Sequence, residues 1–308
     1  MTLRHVGFTA VPPSAKAGFD HADTYLDPAG SRLYVANTGG DRVDVLDCRS
    51  GTYLRSIASL PGVAGVLIDS EMNLLFTSDR AAARVSILRV SDEAILGHVA
   101  VDPRPNGLAF DPDAGNLYSF NLGEPAGTNC TASVVSVDAR RVVATLPLPG
   151  RPRWAVFDGK TRCVYANISD PAVIAVIDAD SLAITRSISV PAAGPHGLAL
   201  VEGPDGSSLW CAADGGQLVV LEPKFGASSA ILPLPGAPDV VMHDRDLQRL
   251  YVAVGSPGTV TVFDTSERRE LETIATEEGA HTIGWDPVTR RLFVFQPKSC
   301  GVGIYEEV

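Results

Sequence analysis

A unit of 42–47 residues recurs along this chain, and the repeat constrains the fold more than any other feature. Each unit reads as a short apolar run closing on Asp, a turn with Pro, Gly or Asp, an LYV-like strand, a polar loop, a VxVxD-like strand, and a fourth strand leading into a Pro/Gly turn. The first unit occupies 21–62 (HADTYLD, RLYVAN, RVDVLD, YLRSIAS). Later units open at Val63, Pro105, Pro152, Pro195 and Pro238. The last, 29 residues from Ala280, supplies three strands only (AHTIGWD, RLFVFQ, VGIYEE). Four short strands rich in Val, Ile, Leu and Tyr at this period, with almost no helical pattern, predict propeller blades. The expected fold is therefore all-β: a seven-bladed β-propeller with four-stranded antiparallel blades. The N-terminal RHVGFTAV can supply the missing outer strand of the last blade and remove an exposed edge. Residues 1–308 then form one propeller domain with no linker.

Composition narrows the function classes. Hydrophobic residues make up 45% and charged residues 20%, enough for a large core. With 25 Lys and Arg against 36 Asp and Glu, the net charge of −11 argues against general affinity for DNA, RNA or an anionic membrane surface. No apolar run reaches the roughly 20 residues of a membrane helix. The N-terminus has no apolar segment of the signal-peptide kind, which predicts a cytoplasmic protein, or an exported one whose leader has been removed. The five cysteines are odd in number, widely spaced and without a CxxC pair, which fits a reducing compartment. Cys163 and Cys211 read as small core residues. The oligomeric state is not legible.

A propeller gathers its inner strands around a channel, so the start of each inner strand is where chemistry can converge. The second residues of the seven inner-strand motifs are Ala22, Ala64, Asn106, Arg153, His196, Asp239 and His281. A structural repeat that places polar side chains of four kinds at five of seven equivalent positions suggests a site. His21, one residue earlier in the first unit, joins that group if the chain bulges or has not yet entered the strand. His21, His196, Asp239 and His281 come from consecutive blades and could hold one divalent metal ion such as Zn, Mn or Fe. No organic cofactor is indicated. His196, His281, Asp239 and Arg153 are the catalytic candidates, with His suited to proton transfer near neutral pH. The alternative is that these polar groups cap backbone or face channel water.

The ends of the second strands on the same face give Asn37, Asp79, Asn121, Ile168, Ala213, Val254 and Gln296. Asn37, Asp79, Asn121 and Gln296, with Asn106 and Arg104, are the candidate substrate-binding residues. Arg104 and Arg151 lie in the connections entering the third and fourth units. With Arg153, they invite a carboxylate or phosphate on a small anionic substrate. The longest loop, NLGEPAGTNCTAS, falls on this face and could serve as a lid. His243, in VVMHD, reads as a packed histidine. GxSxG, P-loop, GxGxxG, HExxH and EF-hand patterns are absent.

LYVAN, followed by VDVLD and the PNGLAFD opening, resembles the YVTN-repeat seven-bladed propellers. That group is similar in turn to lactonase-like and streptogramin-lyase-like propellers. The resemblance covers the whole chain but is specific for fold, because its motifs are strand and turn chemistry. It implies metal-assisted hydrolysis of a lactone-like or other anionic carbonyl substrate. Within it, Asn106 of PNGLAF and Asp239 of PDVVMHD look like the strand-start Asn and Asp of metal-dependent lactonases. The strand-start Glu of that pattern is missing, and His stands there instead. A lyase or isomerase at the same site, or a non-catalytic propeller that binds a ligand or protein, is the competing reading.

Overall fold

The computed structural model describes residues 2–14, 16, 18–203 and 206–308. They form seven four-stranded antiparallel sheets arranged as the blades of a ring. Apart from two short 3-10 turns, Thr38–Gly40 and Arg80–Ala82, the described residues contain no helix. The seven inner strands are Ala22–Tyr25, Val63–Asp69, Pro105–Asp111, Pro152–Asp158, Pro195–Gly203, Pro238–Asp244 and Thr282–Asp286, in blades 1 to 7. Six blades run inner to outer in chain order. In blade 7 the outer strand is Leu3–Ala10, paired antiparallel with Gly301–Glu307, so the chain ends close the ring as expected.

The strand chemistry follows from what each strand touches. Second and third strands are sandwiched between neighbouring blades, so both faces are apolar and β-branched or aromatic. Arg32–Asn37 is buried from Leu33 onward. The tyrosines of the LYV-like motif, Tyr34, Tyr118, Tyr165 and Tyr251, are fully or almost fully buried between blades. Outer strands meet solvent on one face and alternate, as in Arg141–Pro147. His5 and His98 lie on such strands and are exposed. All five cysteines are free; Cys211 is fully buried as expected, whereas Cys163 is partly exposed. The Asp that closes most inner strands caps its own turn. Asp111 Oδ1 accepts the backbone N–H groups of Asp113 and Ala114, and Arg162 grips the same carboxylate from blade 4 at 2.7 Å.

Blades also bond directly to one another near the axis. The N–H of His21 donates to the Ala64 carbonyl at 3.1 Å, and the Trp285 indole donates to Asp244 at 2.7 Å. Asp23 of blade 1 accepts the N–H of Ile68 of blade 2 at 2.8 Å. These contacts fix the inner strands relative to one another, so side chains on them are held on a rigid frame.

Candidate functional site

Inner strands of blades 2 to 6 share one irregularity. In blade 3, Pro105 pairs with Asn121 but Leu108 pairs with Ser119, so Asn106 and Gly107 together oppose a single residue. The same slip lies between Val63 and Val66, Pro152 and Ala155, Pro195 and Leu198, and Pro238 and Val241. Such a bulge re-aims a side chain, and here it occupies the second position of each strand. Asn106, Arg153, His196 and Asp239 are thereby turned to one end of the channel. With Asp20, His21, Arg80, Arg104, Leu122, Arg151 and Trp154 they enclose a polar recess of about 200 Å³.

Blade 1 departs from the sequence alignment. Ala22 pairs with Val35, which matches Leu108 pairing with Ser119; counting back, Asp20 holds the place of Asn106 and Asp239. Ala22 is a buried strand residue outside the ring of polar positions. The cause is a six-residue turn, 26–31, where most blades have four, so aligning on the terminal Asp shifted the first unit by two residues. Asp20 was thus missed, although counting back from RLYVAN would have found it. His21 precedes the strand, as required for it to face the channel, and its ring packs against Trp154 with centroids 4.1 Å apart.

The titratable groups form a connected chain. His196 Nδ1 lies 2.8 Å from Asp214 Oδ1 and its Nε2 lies 3.2 Å from Asp239 Oδ1. Asp239 Oδ2 lies 2.9 Å from His281 Nδ1. Arg153 reaches His196 Nε2 at 3.3 Å and Asp214 at 3.7 Å. Across the recess, Arg80 binds Asp20 at 3.1 Å and also donates to the side-chain Oδ1 of Asn106. Asp214 starts the loop after Ala213, one residue beyond the strand-end position considered in the sequence.

Charge states follow from these contacts. Burial disfavours an imidazolium at His196, but hydrogen bonds to Asp214 and Asp239 outweigh it and push the group up to about 9. Burial likewise opposes ionisation of Asp239, yet the bonds from His196 and His281 hold it far below the usual carboxylate range. His281 is raised by its bond to Asp239. His21 moves the other way: burial lowers it, against the pull of Asp20 at 3.5 Å. The recess therefore presents a charged imidazole and a neutral one at neutral pH.

Arg104 and Arg151 line the recess as expected. Arg104 has only a loose contact with Glu124, at 4.0 Å, and Arg151 makes no ion pair among the described residues. The Nε of Arg80, Arg104, Arg151 and Arg153 is in each case buried without a hydrogen-bond partner among the described residues. The long blade 3 loop contributes Leu122 to the wall and Glu124 beside Arg104.

Four other sequence candidates lie elsewhere. Asn37 donates to Asp44 at 2.7 Å inside blade 1. Asp79 is fully buried against Thr77, Arg84 and Ser86 of blade 2, and Asn121 binds Thr131 and Ser133 of blade 3. The Gln296 side chain lies over Gly303 of its own blade. Strand ends on this face aim these side chains into their own blades, because they carry no bulge to redirect them.

The metal expectation requires His21, His196, Asp239 and His281 to converge on one point. Instead both nitrogens of His196 are engaged by carboxylates, Asp239 is shared by two imidazoles, and His21 turns to Asp20 and Trp154. A ligating histidine needs a free lone pair. Among the described residues no three His, Cys, Asp or Glu side chains are grouped as ligands. The donor set as arranged does not fit a divalent ion. No described helix is long and apolar enough to cross a membrane.

No protein-family model matches the chain. It is 30% identical over 93 residues to an uncharacterized protein YncE of Salmonella typhimurium, and equally to that of Salmonella typhi. The match covers 30% of this chain and 26% of those relatives, so it spans about a quarter of their length. This is consistent with a YVTN-like propeller. Among solved structures, a chain of Kuenenia stuttgartiensis hydrazine synthase superposes with a TM-score of 0.78 at 16% identity, covering 94% of this chain and 96% of that one. A chain of a mitotic checkpoint complex gives 0.79 at 15% identity, covering 99% and 90%. Similarity at that identity establishes the propeller fold alone.

Proposed function

We propose that the recess binds a small carboxylate-bearing molecule and acts on it by proton transfer. The observation that carries this reading is the set of four arginines facing one 200 Å³ recess, in a protein of net charge −11, with their Nε groups buried and unpaired. An arginine fork matches a carboxylate or phosphate, and an unpaired buried donor is costly unless a ligand satisfies it. Arg104 and Arg151, the least engaged by protein acids, hold the anion; Asn106 and Arg80 orient the rest of the molecule.

Two imidazoles pushed in opposite directions supply an acid and a base. His196 is the proton donor, kept charged by Asp214 and Asp239. His21 is the acceptor, kept neutral by burial against Trp154. With a lactone-like substrate, His21 takes a proton from water as its oxygen adds to the carbonyl. His196 delivers the Nε2 proton, turned from its longer bond to Asp239, to the departing alkoxide, and the ring opens to a hydroxy acid. The same pair could remove a proton and protonate a leaving group in an elimination, which is the competing chemistry.

The test begins with binding. A thermal-shift panel of small carboxylates, phosphate and carboxylated lactones should stabilise the wild type. Arg151→Ala and Arg104→Ala should each weaken binding about 10- to 100-fold, the value of one charge-assisted hydrogen bond of roughly 1.5–3 kcal/mol. His196→Asn and His21→Asn should keep anion binding and lose lactone turnover. Undiminished anion binding in the Arg104/Arg151 double variant would overturn the anion site. Binding without turnover of any panel member would leave a non-catalytic ligand-binding propeller.

A further inference from the structure

The two ends of the channel are different chambers. His21 and Trp154, in ring contact, line both and separate them. Beyond this partition the channel widens into a funnel of about 790 Å³, open at the opposite face. Its wall is built from the far halves of the inner strands and is apolar and partly aromatic, with Leu67, Leu108, Phe110, Phe157, Leu200 and Met242 among the side chains that form it. Of these, Leu67, Phe157, Leu200 and Met242 are only partly covered, so apolar surface is left facing the funnel.

The charged groups at its rim are already engaged, while the Nε2 of His243 is buried without a partner among the described residues. Glu202 is clamped between Lys160 at 2.7 Å and Arg245 at 2.9 Å, an ion-pair strap running from blade 4 through blade 5 to blade 6. Asp158 and Asp69 cap their own turns, binding Lys160 N–H at 3.0 Å and Met72 N–H at 2.7 Å. Asp23 accepts two backbone N–H groups, from Thr24 and Ile68, each at 2.8 Å. Burial lowers His243, so it adds no positive charge at neutral pH. Four carboxylates against Lys160 and Arg245 leave a rim that, among the described residues, offers no unpaired Lys or Arg and repels anions.

We propose that this funnel is a second binding site, separate from the recess, for a neutral and largely aromatic or alicyclic small molecule. A dead-ended concavity of this size matches the pockets that enclose such ligands, whereas a macromolecule could not enter it. The excess of paired carboxylates sets the selection: a neutral ligand gains the apolar wall without opposing charge. An anion gains the same wall but approaches the carboxylate-rich rim. The two chambers thus have opposite preferences, anion on one side of the His21–Trp154 partition and neutral apolar matter on the other.

A fluorescent pair tests this directly. N-phenyl-1-naphthylamine is neutral; 1-anilinonaphthalene-8-sulfonate carries the same ring frame with a sulfonate. The neutral dye should bind saturably at one equivalent in the micromolar range, at least tenfold tighter than the sulfonate. Leu200→Glu should weaken the neutral dye at least tenfold. Leu67→Gln, a milder change whose melting profile is checked in parallel, should weaken it several-fold. No saturable binding, equal or tighter binding of the sulfonate, or unchanged affinity in a folded Leu67→Gln variant would each overturn the proposal.

Discussion

His196 sits between two carboxylates, and this decides how stability responds to pH. Its value is raised from 6.5 unfolded to about 9 folded, so its contribution is fully present below pH 6.5 and is lost as the pH rises through 9. A shift of that size corresponds to on the order of 3 kcal/mol across the window. His281, raised in the same direction, adds to the loss. Asp239 acts at the other end: its folded value is depressed, so its contribution is present above the unfolded value near 3.8 and falls away as the medium is acidified below it. Asp214→Asn removes one of the two negative charges holding the imidazolium. The His196 titration, followed by its ring-carbon NMR signal, should move from about 9 toward 6.5. The fall in denaturant-measured stability between pH 6.5 and 9 should flatten in parallel. An unchanged titration would show that Asp214 is not what sustains the charge.

The inner-strand bulge is the element that converts a repeat into a site. In blades 2, 3 and 5, where its second residue is Gly65, Gly107 or Gly197, the backbone of a neighbouring blade approaches closely. A Cβ on Gly197 would stand 2.4 Å from the carbonyl oxygen of Asp239 and 2.5 Å from a Val241 methyl. Gly197→Ala should therefore cost roughly 1–3 kcal/mol through overpacking and push Asp239 away from His196. The melting temperature should fall and the His196 titration should shift down together. Gly7→Ala, at a position with nothing within 4 Å, should leave the melting temperature nearly unchanged. A Gly197→Ala protein as stable as Gly7→Ala would refute the close-approach argument. The same element explains what the sequence could and could not convey. The propeller was legible because alternation and turn residues repeat in every unit, and His196, Asp239, Arg153 and Asn106 were legible because the bulge keeps one register in blades 3 to 6. Asp20 was hidden by a turn two residues longer than the four-residue turns of most blades. Asn37, Asp79 and Asn121 misled because a strand-end residue on the right face can still turn into its own blade, and only contacts such as Asn37 to Asp44 reveal that.

At the scale of the whole molecule, the recess depends on ring closure, because its polar groups come from blades 1 to 6 and His281 of the last blade holds Asp239 among them. Closure rests on the N-terminal strand. Leu3–Ala10 covers Gly301–Glu307, whose first five residues are buried. Glu272 of blade 6 pins the start of that strand, accepting the N–H groups of Thr2 and Leu3 at 2.7 and 2.5 Å and the Thr2 hydroxyl at 2.5 Å. Removing residues 1–10 would bare a strand edge next to apolar surface, the arrangement that invites pairing between chains. The shortened chain should melt about 10 °C or more below the full chain, given that a few kcal/mol shift the midpoint of a domain this size by several degrees. It should also elute as oligomers in size-exclusion chromatography. Glu272→Ala should produce a smaller drop without oligomers, since the strand itself still pairs. His281 lies on the blade closed in this way and holds Asp239 at 2.9 Å, so loosening the last blade should also lower the His196 titration in the shortened chain. A truncated protein that stays monomeric, with an unaltered midpoint and an unaltered His196 titration, would mean that the ring is held by its blade-to-blade contacts and that the terminal strand is dispensable to the site.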